Sequence, residues 1–133
     1  MKVLYHQFIS GIPRAQSRPR LGQHGNFYSD SHAVKEWKEV IEATFLFCRK
    51  PTITGPVLLR VTFYMPRPKN MEGDNDSPLI PHIKKPDTDN LLKAVMDSMS
   101  AAGIWKDDAQ VYRTDAEKYY AGSKPGVQIT VEA

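Results

Sequence analysis

PDTDNLLKAVMDSMSAAGIWKDDAQV, residues 86–111, carries a helix with one apolar stripe and the start of the strand after it. Pro86 disfavours helical conformation in the residue before it, so a helix opens at Asp87 or directly after it and runs over roughly 88–102. Leu91, Leu92, Val95, Met99 and Ala102 recur at three- and four-residue spacing and group on one side. Asn90, Lys93 and Asp97 fall on the opposite side, with Asp89 near the border. Gly103 ends the helix, and a short connection leads into a strand that starts at Asp107-Asp108. A helix with one apolar stripe has to bury it, and a sheet is the partner the flanking segments supply.

Working outward, VLLRVTFYM (57–65) alternates well enough for a strand with Arg60 outward, and Pro66 and Pro68 end it. VLYHQFI (3–9) reads as an opening strand stopped by Gly11-Ile12-Pro13. Asp30 or Ser31 can cap a helix running to about Cys48, with Val34, Trp37, Ile41, Phe45 and Leu46 along its apolar face. VYRTDAEKYYA (111–121) and VQITVEA (127–133) look like a closing hairpin turned at residues 122–126. The order β-α-β-α-β-β predicts an α+β fold, with a mixed four-stranded sheet packed by two helices in a single domain over 1–133. Two segments lack periodicity: PRAQSRPRLGQHGN (13–26), and residues 67–86 with their four prolines, expected to form a loop that is mobile without substrate.

Composition narrows the function. The chain has 133 residues, 41% of them apolar and 25% charged, which suits one packed core and one active site. The net charge of +3 discriminates little, but its distribution is uneven: Arg14, Arg18 and Arg20 crowd one segment, and Lys84 and Lys85 precede the acidic stretch, two clusters a polyanion can bridge. One cysteine, Cys48, excludes an intrachain disulfide framework and a cysteine-rich zinc site. The opening residues are too polar for a signal peptide, and no run approaches membrane-spanning length, so a cytoplasmic protein without a membrane partner is expected. The four histidines are scattered, and neither a nucleophilic serine motif nor a glycine-rich phosphate loop is present.

The chemistry therefore rests on the aspartates. Asp87 has an ordinary reading as a helix cap, and Asp89, Lys93 and Asp97 step by four as an ion-pair ladder would. Neither reading accounts for Asp107-Asp108 at the next strand's start. If that strand runs antiparallel to the helix, Asp107 or Asp108 is expected to return towards Asp87 and Asp89, and three carboxylates then share one pocket. Carboxylates so close need a cation, and oxygen-only ligands select hard ions such as Mg²⁺ or Mn²⁺. Such an ion suits phosphodiester hydrolysis, with Lys93 placed to steady the scissile phosphate.

PDTDNLLKAVMDSM followed by GIWKDDAQV resembles the signature of the RusA family of Holliday junction resolvases, coupling P-D-x-D-N-x-x-K to D-D-x-Q. GIPRAQSRPR and Lys118 fit as weaker features. The resemblance implies a small homodimer that binds branched DNA, a four-way junction, and nicks it in pairs with Mg²⁺, Mn²⁺ substituting, and without a small-molecule cofactor. It makes Asp87, Asp89 and Asp108 the catalytic, metal-holding acids and Lys93 their basic partner. Asp107 and Asn90 are expected to support the site, and Arg18, Arg20, Lys84, Lys85 and Lys118 to contact DNA. Bacteria and their phages are the expected sources. Two other readings stay open: a nuclease of RNA or of forks or flaps, and a branched-DNA-binding protein without catalysis.

Overall fold

The computed structural model describes residues 1–16, 31–69, 71 and 79–133. Its elements are β1 (Val3–Ser10), α1 (His32–Phe47), β2 (Val57–Met65), α2 (Thr88–Ala101), a 3-10 turn (Asp108–Gln110), β3 (Val111–Tyr120) and β4 (Gly126–Glu132). The four strands form one mixed sheet in the order β1-β4-β2-β3, and both helices pack on the same face of it. This is the α+β domain expected, in the expected order.

Side-chain alternation makes that face. Val57, Leu59, Val61, Phe63 and Met65 of β2 are buried, as are Val127, Ile129 and Val131 of β4. They meet Trp37, Ile41 and Phe45 of α1 and Leu91, Val95 and Met99 of α2 in one core. Each side chain of this size removed from water contributes about 1.5–3 kcal/mol before conformational entropy is set against it. Ser31 caps α1, its Oγ accepting from Val34 N at 3.3 Å; Asp30, the alternative, lies outside the described residues. Leu46 does not join the core and is 50% exposed, because five residues beyond Ile41 it is rotated roughly 140° off the stripe that Phe45 continues. Leu92 of α2 is likewise only partly buried, and Ala94 and Ser98 occupy the interior instead. Among the described residues no helix is long and apolar enough to cross a membrane.

The expected hairpin of β3 and β4 does not form. β2 lies between them, pairing parallel with β3 and antiparallel with β4. The physical reason is polarity: β2 is the most continuously apolar strand and takes the centre, where both ladders are satisfied. β3, with Arg113, Asp115, Glu117 and Lys118, suits an edge. α2 provides the crossover that a parallel pair requires.

The edge of β3 is partly covered. Pro81 bridges antiparallel to Tyr119, Tyr120 N donates to Ile80 O at 2.9 Å, and His82 N donates to Lys118 O at 3.0 Å. The described end of the 67–86 segment is thus hydrogen-bonded to the sheet. Residues 70 and 72–78 lie outside the described residues.

Candidate active site

The start of α2 gathers acids and bases. Asp87 occupies the N-cap position with extended backbone, its carbonyl accepting from Leu91 N at 3.1 Å, yet its carboxylate makes no capping bond. Both of its oxygens accept instead from Lys85 Nζ, at 2.9 and 3.0 Å. The capping role that would explain this residue blandly is therefore not the one its side chain performs. Asp89 stands in the first turn, its Oδ1 accepting from Asn90 N at 2.9 Å. Both carboxylates lie at the helix end whose unsatisfied amides carry positive partial charge.

Lys118 braces this corner from β3. It pairs with Phe63 in the sheet register and so lies on the helix-bearing face. Its Nζ donates at 2.7 Å to the carbonyls of both Lys84 and Pro86. Burial pulls its pKa below the ordinary lysine value, Asp87 opposes that shift, and Lys85 adds to it. Two of its three donors serve the backbone that leads into Asp87, so in this structure Lys118 positions that segment. Asn90 has a similar second duty, its carbonyl accepting from Gln16 N at 3.1 Å. That bond brings the chain of residues 14–16 to the helix start. Arg18 and Arg20 lie outside the described residues.

Lys93, one turn on, donates to Asp97 Oδ1 at 3.0 Å, and Lys38 approaches the other oxygen of Asp97 at 3.8 Å. The ladder reading thus describes part of what Lys93 does. Lys84 is exposed, as is Lys85, so the acids sit among cations that solvent and a polyanion can reach.

Asp108 is elsewhere. Its Oδ1 accepts from Ser100 Oγ at 2.6 Å and Trp105 Nε1 at 2.8 Å, at the C-terminal end of α2. Ser100 lies eleven residues past Asp89, about 16 Å along the helix. β3 does run antiparallel to α2, but Asp108 precedes the strand and stays where the helix ends. What the strand carries back to Asp87 is Lys118. Asp107 caps the 3-10 turn through Ala109 N at 2.8 Å, and Gln110 closes the capping box. Within one chain, and among the described residues, no three His, Cys, Asp or Glu side chains converge on a metal position.

Some of this was not foreseen. Ser100 and Trp105 as anchors of Asp108, and Gln110 as a structural hub, carried no signal beyond the D-D-x-Q spacing. The register of residues 80–82 on β3 had none, because prolines mask strand character there.

Asp87 and Asp89 could offer carboxylate oxygens at a polarised helix end, donors of the kind a hard divalent cation takes. The family model described as Endodeoxyribonuclease RusA matches residues 10–132. The chain is also 32% identical over 132 residues to the Bacillus subtilis (strain 168) protein named "Uncharacterized protein YqaN", with 92% of each chain covered.

Proposed function

The chain belongs to the RusA family of endodeoxyribonucleases, and from that premise we propose that it resolves four-way DNA junctions by paired, Mg²⁺-dependent nicking in recombination and repair. The observation that carries the reading is the state of Asp87. A capping aspartate is committed to backbone amides, whereas this carboxylate is held by an exposed lysine that a divalent cation can displace. Asp87 and Asp89 would hold the ion, and Lys93, Lys84 and Lys85 stand within the same basic surround to receive phosphates. A bound Mg²⁺ would polarise the scissile phosphodiester and acidify an attacking water.

Asp108 belongs to this site only if a second copy supplies it, since within one chain it occupies the far end of α2. The proposal is therefore a homodimer in which Asp87 and Asp89 of one chain meet Asp108 of the other, two sites related by a twofold axis as two symmetric nicks require.

Mixing inactive variants tests it. Asp89→Asn and Asp108→Asn chains, each inactive alone, should recover nicking of a labelled four-way junction when co-refolded, because half of the sites in a mixed dimer then carry neither substitution. Separate sites within each chain would leave the mixture dead. Cutting of linear duplex or flaps in preference to junctions would replace the resolvase reading with that of a flap or fork nuclease, and junction binding without cleavage in any divalent metal would leave a DNA-binding protein.

A further inference from the structure

The sheet face opposite the helices carries a second feature, which the nuclease chemistry does not use. Register and alternation place Phe8, Tyr64, Gln128 and Tyr119 on that face. At the end of the sheet shared with Asp87, a cleft of about 330 Å³ is lined by Phe8 and Tyr64, with Gln128, Arg67, Leu79 and Lys124 around it. The two rings lie 6.3 Å apart, tilted by 53°, and Phe8 remains 43% exposed. Gly126 makes this possible: a Cβ there would come within 2.5 Å of Phe8 Cζ, so only glycine lets the ring lie across the strand.

We propose that this cleft receives one unstacked base of the DNA substrate, with Phe8 and Tyr64 as the stacking surface and Arg67 and Lys124 on the adjoining phosphates. The inference rests on the nuclease reading, because it takes its ligand from the same DNA. Four features of the cleft fit that occupant. Aromatic faces with Arg67 and Lys124 beside them, and no carboxylate among the described lining residues, are what a nucleic-acid strand selects. The Arg67 Nε is buried without a hydrogen-bond partner among the described residues, a donor an incoming acceptor would satisfy. Gln128 offers a carboxamide, a donor and an acceptor side by side, suited to a base edge. Finally, residues 79–87 run from Leu79 in the cleft around the β3 edge to Asp87, so one strand can thread past the acids and place a base on the opposite face.

The test uses four-way junctions carrying 2-aminopurine at one crossover position at a time, bound by the full-length protein in chelator so that no strand is cut. One position should change fluorescence on binding. Phe8→Ala should abolish that change and weaken junction binding roughly tenfold while the circular dichroism stays native, and Phe8→Tyr should preserve both. Lys124→Gln should weaken binding and lower its salt dependence by about one phosphate contact. The proposal is overturned, with the nuclease reading intact, if wild type and Phe8→Ala bind and nick alike and no position responds. It is overturned in favour of a nucleotide site if deoxyadenosine monophosphate alone saturates the cleft and the junction does not. A Phe8-dependent signal on a junction that is never cut in Mg²⁺ supports the cleft and sinks the nuclease reading.

Discussion

Lys118 Nζ lies 2.7 Å from the carbonyl oxygen of Pro86, the residue directly before Asp87. A cation that reads as a DNA contact in sequence is, in the fold, the brace of the segment that presents the first acid. Its second bond, to Lys84 O, makes the brace bidentate.

Lys118→Met should therefore act on metal use more than on DNA affinity. Losing two charge-assisted bonds in a partly solvated setting should cost about 1–2 kcal/mol, seen as a lower melting temperature. The nicking rate should also need more Mg²⁺ to saturate, because Asp87 is no longer held in place. An unchanged Mg²⁺ dependence with a weakened junction Kd would return Lys118 to the role of a phosphate contact.

Asp108→Asn separates structure from chemistry. The amide keeps a carbonyl oxygen for Ser100 and Trp105, so the melting temperature should fall by no more than about 4 °C. Nicking should drop by more than roughly a hundredfold if Asp108 holds the metal as proposed, since even partners behind the ligands are worth about 10- to 100-fold. Activity near wild type would make Asp108 a purely structural anchor.

Gln110→Met should do the reverse. Its side chain accepts from Lys106 N and Asp107 N at 2.8 and 2.9 Å and donates to Ile53 O and Gly55 O at 2.8 and 3.0 Å. Removing all four should cost about 2–3 kcal/mol and roughly 10 °C in thermal melting. Nicking per folded molecule at low temperature should persist. Its complete loss in well-folded protein would place Gln110 in the chemistry.

His82 gives the β3 edge a pH dependence. Burial lowers its pKa, and the charges of Lys118 and Lys84 lower it further, while a backbone hydrogen bond opposes them. Between the folded value and the unfolded value of about 6.5, the unfolded chain holds a proton that the folded one does not. Stability is thus complete above about 6.5 and declines as pH falls towards the folded value. Hydrogen exchange at Tyr120 N, which donates to Ile80 O, should accelerate as pH drops from about 7 to about 5 after correction for intrinsic rates. His82→Phe should flatten that dependence; an identical pH response in the variant would assign it to another group.

The elements, their order and the residues of the acidic signature are legible along the chain. Apolar spacing in α1 and α2 is a local property, and so are the capping Ser31 and the prolines that end β2. The motif PDTDN could likewise be read as chemistry, because five neighbouring residues fix where two carboxylates sit at a helix start. Strand pairing and the position of Asp108 follow from packing instead. β2 separates β3 from β4 because sheet order is set by how well each strand tolerates burial on both edges, a competition no single segment reveals, although the charges along β3 were a hint. Asp108 remains beside Ser100 because a chain leaving a helix end starts its return from there, so it is Lys118, ten residues later, that the strand delivers to Asp87.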